Sequence, residues 1–253
     1  MKRILFTLLV AAPVLTWAQA NQLKPLTSTK APAKPDTLIT TDKTNPQLKH
    51  FVVTYNDLPR EQGNLVKGLK EGIWKTYYDN GSPKAVQEYH NGKLNGTSIT
   101  FDRSSFIMAD ETYVDGKLEG LAIQYHNGGK IKTQATYKNG LLNGKKIVNY
   151  DDGSRQEESY WKDGKKDGLT KWFYQGGKPA GEYNYSMDKI NGKSILYNTS
   201  GKVIKEGSFV NGYEEGEWKE YDPSGETLVK RITYKEGKII SEEQLATPVI
   251  ENK

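Results

Sequence analysis

The sequence predicts an all-β fold, an elongated antiparallel β-meander of repeated 24-residue hairpins. Three observations carry that prediction. First, Gly72, Gly96, Gly120, Gly144, Gly168, Gly192 and Gly216 stand 24 residues apart without a slip. With 25 Gly in 253 residues, six further coincidences have odds on the order of one in a million, and a fixed period of this size marks a repeat architecture. Second, each unit carries two turn signals, and no stretch of the repeat region shows a helical period. Third, hydrophobic content is only 35%, mean hydropathy is -0.75, and much of the apolar surface comes from 16 Tyr, 6 Phe and 5 Trp. That composition suits a shallow, turn-rich sheet better than a layered aliphatic core.

The segments follow in chain order. Met1-Lys2-Arg3 is a basic start, Ile4 to Leu15 is apolar, and Ala18-Gln19-Ala20 is a small-residue cleavage site. Residues 1–20 therefore read as a signal peptide, and the chain is expected to be exported, periplasmic or extracellular. The alternative, a buried N-terminal helix, finds no packing partner downstream. The run is too short to span a membrane, and no later run approaches that length, so the mature protein is expected to have no transmembrane segment. Losing Lys2 and Arg3 leaves 34 basic residues against 31 acidic ones, a charge of +3. The two signs are interleaved, which argues against a nucleic-acid partner.

Residues 21–49 hold Pro25, Pro32, Pro35 and Pro46 among Lys, Thr and Ser, and read as a disordered tether. Residues 50–71 read as a degenerate unit that keeps Leu65 and Gly68 and uses Phe51, Val52, Val53 and Tyr55 to cap the array. Seven units fill residues 72–240, and residues 241–253 read as a flexible tail.

Within a unit, positions are counted from its glycine as zero. At +19 and +20 come Asn91-Gly92, Asp115-Gly116, Asn139-Gly140, Asp163-Gly164 and Asn211-Gly212. These pairs favour type I′ turns, whose two central residues need positive φ. The fifth unit departs at Met187-Asp188, which reads as relaxation of the generic repeat, and the seventh turns at Glu236-Gly237. A second turn ends at +9, where only the second unit, with Ser104-Ser105, lacks Gly. Between the turns, +17 is aromatic in six units (Tyr89, Tyr113, Tyr137, Trp161, Tyr185, Phe209), and it should pair across the turn with Leu94, Leu118 or Leu142 at +22. A three-residue second turn would set +5 opposite +11 on that same face. Positions +22 and +3 would then differ in parity, which predicts a β-bulge at or beside each repeat glycine.

The string Tyr-x-Asn-Gly-Lys-Leu-x-Gly-x-Trp-x-x-Tyr-x-x-x-Gly, present in pieces at residues 89–96, 72–81 and 216–225, resembles the MORN repeat. It is most similar to the bacterial variant labelled a YwqK-like antitoxin component. The resemblance covers about residues 65–240. It implies an elongated meander with one hairpin per repeat, usually an interaction platform. The antitoxin role sits poorly with an export signal, because antitoxins act in the cytosol.

No catalytic site is expected. The chain has no Cys, which excludes disulfides, Cys-ligated zinc, iron–sulfur clusters and a lipid-modified N-terminal Cys. His50, His90 and His126 fall at non-equivalent positions, and no metalloprotease, nucleophile-elbow or phosphate-loop motif occurs. Neither a cofactor nor a metal is expected. Asp79, Asp102, Asp151, Asp152 and Asp222 cluster near turns but lack a calcium-loop pattern, and read as turn formers. One stretch departs from the average: Trp161, Trp172, Phe173, Tyr174, Tyr183 and Tyr185 form the densest aromatic run. Trp172 and Tyr174 have the opposite parity to Phe173 and should project from the otherwise polar face, unless the sheet curls there and covers both faces. Pro179 at +11 also removes a ladder donor. Exposed aromatics on a flat sheet suit a protein partner or a stacked envelope glycan. The leading expectation is thus an exported, non-enzymatic scaffold that binds a protein or envelope component. The alternative is an antitoxin-like inhibitor that neutralises a toxin or effector by stoichiometric binding.

Overall fold

The structure is a computed structural model, and it describes residues 35–245. The stretch read as a signal peptide, the stretch read as a tether up to residue 34 and the end of the stretch read as a tail from residue 246 lie outside the described residues. Among the described residues there are twenty strand segments and no helix. Apart from the two edges, each strand pairs antiparallel with the one before it and the one after it. Two strands are interrupted at Glu119 and Asp167 and count as two segments each. The fold is the predicted all-β meander, a single open sheet.

The sheet begins inside the stretch read as a tether. Asp36–Thr41 is a strand that pairs with Leu48–Tyr55. Its Thr-Leu-Ile-Thr-Thr run favours extended backbone. The Asp42 carboxylate ties the following turn by accepting from the Thr44 N–H (2.8 Å), the Thr44 hydroxyl (2.6 Å) and the Asn45 N–H (2.8 Å). At the other end Lys238–Gln244 carries the sheet into the stretch read as a tail.

The turns explain the glycine spacing. Asn91 and Gly92 have φ of 49° and 79°, as a type I′ turn requires. Met187 and Asp188 adopt the same conformation (49° and 73°), so the fifth unit keeps its turn. The Asp188 carboxylate accepts the Lys166 N–H at 2.7 Å, a bond no Gly could make. The second turn has three residues: Tyr78 N–H donates to Ser82 O (2.9 Å), and Gly81 at φ 82° closes it. Successive hairpins are also tied at both margins. Gly92, Gly116, Gly140 and Gly164 each donate their N–H to a carbonyl of the preceding turn region. At the opposite margin the Tyr78 hydroxyl donates to Phe101 O and the Tyr150 hydroxyl to Phe173 O.

Two details of register differ from simple alternation. Tyr89 pairs with Leu94 and Tyr77 with Pro83, as the spacing suggests, but these pairs lie on opposite faces. The reason is an extra residue at +12: Thr76 pairs with Ala85 while Tyr77 pairs with Pro83, so Lys84 is bulged. The second irregularity is at the repeat glycine. Gln87 pairs with Ser98 and Tyr89 with Leu94, so Asn95, Gly96 and Thr97 together oppose Glu88. The predicted bulge is there, but it holds two extra residues and leaves the face unchanged. Gly96 sits at φ 117°, and a Cβ on it would collide with the Glu88 carboxylate.

The interior of this sheet is a seam one side chain wide. Positions +2 and +15 pair repeatedly across strands, as in Ala122, Ala135, Lys146 and Ser159. Trp74, Ser98, Ala122, Ala135, Thr170, Ser194 and Trp218 along it are all buried, Thr170 and Ser159 completely. Large and small residues alternate where space demands it. A Cβ on Gly63 would fall into the Trp74 ring, and one on Gly207 into the Trp218 ring. Positions +4, +13, +17 and +22 share the seam face. The other face carries Lys–Glu pairs such as Lys171–Glu182 (3.3 Å) and Lys193–Glu206 (3.3 Å).

Candidate functional site

The aromatic run divides three ways. Trp172, Tyr183 and Tyr185 come together on the seam face. Trp172 meets Tyr183 with ring centroids 5.2 Å apart at 79°, and Tyr185 at 6.5 Å and 70°. Trp172 stands there because the one-residue bulge at +12 sets +4 opposite +13, on the face of +17, so its parity does not send it to the polar face. Trp161 joins the group through Lys166, whose Nζ lies 5.6 Å from the Trp161 ring centre, 5.0 Å from Trp172 and 5.3 Å from Tyr185. The Trp161 indole N–H donates to Ser159 Oγ at 2.8 Å. Phe173 lies on the opposite face, paired with Pro179. Tyr174 is at the turn margin, and its hydroxyl donates to Tyr197 O at 2.9 Å. It repeats the clamp made by Tyr78 and Tyr150, so Phe173 and Tyr174 drop out of the aromatic group.

Between these rings is a depression of about 440 Å³, lined by Trp172, Ala180, Gly181, Tyr183, Tyr185, Ile190 and Leu196. Gly181 is its floor. It pairs with Trp172 on one side and Leu196 on the other, so a row of large, absent and medium side chains crosses three strands. Burial, with the neighbouring Tyr183 and Glu157 as smaller causes, raises the Tyr185 phenol above its ordinary value. The phenol therefore stays neutral and the wall apolar.

Sequence reasoning missed Lys166, Glu157, Gly181, Ile190 and Leu196. The readable signal was Lys166, which takes the +22 place held elsewhere by Leu94, Leu118 and Leu142. Its ammonium is 3.5 Å from Glu157 Oε1. The same device recurs at Lys70, which lies 4.2 Å over Trp74 and 5.0 Å over Tyr89 and is 2.6 Å from Glu61. A lysine laid on aromatic rings beside a glutamate is thus a structural element of this sheet.

Three of the turn aspartates serve their own turns, and Asp79 reaches across to the next one. Asp102 accepts from the Ser104 and Phe106 N–H groups, Asp152 from Ser154, and Asp222 from Ser224 and Glu226, while Asp79 pairs with Arg103. The histidines stay apart: His50 contacts Asn64, His90 contacts Glu71, and the His126 ring meets Asn149 O.

The comparisons agree with this architecture. A family model for the MORN repeat variant matches residues 70–91, 118–139, 166–187, 190–211 and 214–236. The chain therefore carries MORN-type repeats, and the sheet continues the same hairpin through residues 94–115 and 142–163 between the matches. No curated protein matches the chain.

Proposed function

We propose that the protein is an exported, non-enzymatic repeat scaffold that binds a partner protein through the seam face at Trp172, Tyr183 and Tyr185. The single supporting observation is the aromatic-walled depression over Gly181. Its two principal rings meet at 79° and form a corner. A corner receives a projecting side chain, whereas a sugar ring stacks on a flat platform, so a protein is favoured over an envelope glycan. Export rests on the order of residues 1–20. A finer reading, the stoichiometric inhibitor of one toxin or effector, uses the same surface. It is supported by the position of the depression on two particular units, which suits one partner per chain. The test is a photo-crosslinking residue at Tyr183, compared with one at Tyr197 on the opposite face, in cells that make the protein. A discrete crosslinked product from Tyr183 alone supports the reading. Equal labelling from both positions, or none, contradicts it.

A further inference from the structure

We infer that the Asp36–Thr41 edge of the sheet pairs with the same edge of a second copy, joining two chains into one continuous sheet about a twofold axis. Asp36–Thr41 has a strand on one side only, Leu48–Tyr55, whereas strands inside the sheet have one on each side. The alternation of the ladder decides which of its backbone groups are spare. Asp42 N–H donates to Leu48 O at 2.9 Å, so Asp42 and, two residues at a time along the strand, Thr40, Leu38 and Asp36 turn their N–H and C=O groups toward Leu48–Tyr55. Thr37, Ile39 and Thr41 turn theirs outward, where no strand meets them among the described residues.

The two edges of the sheet are built differently. Lys238–Gln244 is interrupted by a bulge and carries Lys238, Glu242 and Glu243, the last two paired with Lys230 (2.7 Å) and Arg231 (3.6 Å). Charges and bulges of that kind keep an edge from accepting another strand. Asp36–Thr41 has no such guard: its register is unbroken, it contains no Lys, Arg, Pro or Gly, and its one charge is at its first residue. Leu38 and Ile39, on opposite faces, are 61% and 50% exposed. Ile39 pairs with Phe51, whose ring lies 5.4 Å from the Trp74 ring over Gly63. The seam therefore runs out to this edge and stops at an uncovered isoleucine.

A second copy fits because this edge is complementary to itself. With Ile39 on the axis, Ile39 faces Ile39, Thr37 faces Thr41 and Leu38 faces Thr40 of the second copy. Every spare N–H and C=O of the strand then finds a partner, about six hydrogen bonds in all, and the two seams meet at Ile39. Moving the register two residues one way sets Pro35, which has no N–H, opposite Thr41. Moving it the other way runs Thr37 past the end of the strand, against Lys43. The adverse contact is Asp36 against Asp42 of the second copy, softened by His50, 3.5 Å from Asp42. Two short strands bury less than the roughly 1,200 Å² of a lasting complex, so the dimer forms and parts reversibly. Its consequence is bivalency, since any site on the sheet is presented twice.

The test is sedimentation velocity of the mature protein from micromolar to near-millimolar concentration, with amide hydrogen exchange read by NMR at both ends of that range. A monomer–dimer equilibrium is expected, with the Thr37, Ile39 and Thr41 amides exchanging at least tenfold more slowly in the dimer. Thr37→Pro removes an outward donor and leaves the bonds to Leu48–Tyr55 in place. It is expected to keep the melting temperature and weaken the dimer at least tenfold. If Thr37→Pro fails to fold, Ile39→Lys sets a charge on the axis against its own copy, with an expected loss at least as large. Asp36→Asn is expected to tighten the dimer at least twofold at low salt. A monomer at every concentration, a folded Thr37→Pro that dimerises unchanged, or a dimer loosened by Asp36→Asn overturns the inference. Assemblies that grow past two copies overturn the twofold pairing, because the edge then meets Lys238–Gln244 of the next chain. Slow exchange of the three amides in the monomer overturns it as well, because the chain then covers its own edge.

Discussion

At the scale of the residue, the fold depends on exclusions as much as on contacts. Gly207 and Gly63 are not at positive φ, so their freedom of backbone is irrelevant; what matters is that an indole occupies the place of the side chain. Gly207→Ala is therefore expected to lower stability by about 1–3 kcal/mol, the usual range for overpacking a close-fitted site, as measured by denaturant titration. An unchanged midpoint would mean that Trp218 shifts aside without loss. Neither glycine belongs to the 24-residue series, and nothing in the sequence distinguished them from turn glycines. Tyr174 was misleading for the converse reason. As an aromatic in an aromatic run it suggested a surface, yet its hydroxyl is spent on a neighbouring carbonyl. A side chain's hydrogen-bond partner 23 residues away is set by register, which spacing alone does not define.

At the scale of the element, the turns were the most legible part. Asn-Gly and Asp-Gly pairs located the hairpins because only a few residue types tolerate two successive positive φ values. Where the pattern lapses, the conformation persists, and that gives a prediction. Ser105 closes the second unit's long turn at φ 67°. Since the left-handed conformation costs an L-residue roughly 1–2 kcal/mol, Ser105→Gly is expected to stabilise the protein by about 1 kcal/mol. A lower melting temperature would show that the hydroxyl contributes more than the backbone strain. The first turn gives a prediction in pH. Hydrogen bonds from the Thr44 hydroxyl and N–H and from the Asn45 N–H hold the Asp42 carboxyl at about 2, below the model-compound 3.8. Its contribution is thus complete above pH 4 and disappears as pH falls toward 2. The Asp42 side chain should titrate near 2 by NMR, with the Thr44 and Asn45 amide resonances moving in step. A midpoint near 4 would contradict those bonds. The faces were less legible than the turns. A one-residue bulge at +12 and a two-residue bulge at the glycine are both silent in an alternating pattern until pairing partners are known.

At the scale of the whole molecule, the described sheet has no second layer, and its order comes from a narrow seam, hydrogen-bonded hairpin margins and cross-strand ion pairs. Such a structure behaves as a sum of near-neighbour terms, so a unit can acquire a site without disturbing distant ones. The period and the aromatic content announced this architecture from the sequence. They also drew attention to the strands around the depression, but not to its floor at Gly181 or its rim at Lys166, because these depend on which residues three adjacent strands bring side by side. Under the proposed function, Trp172 serves binding more than folding. It is tested most directly by measuring partner crosslinking from Tyr183 and the melting temperature together in Trp172→Ala, with Tyr174→Phe as the comparison. Trp172→Ala is expected to remove at least about 2 kcal/mol of binding, roughly thirtyfold, from a protein that still folds, and Tyr174→Phe to keep its crosslink while losing about 0.5–1.5 kcal/mol of stability. A Trp172→Ala protein that loses its fold but crosslinks normally in the fraction that remains folded would contradict it.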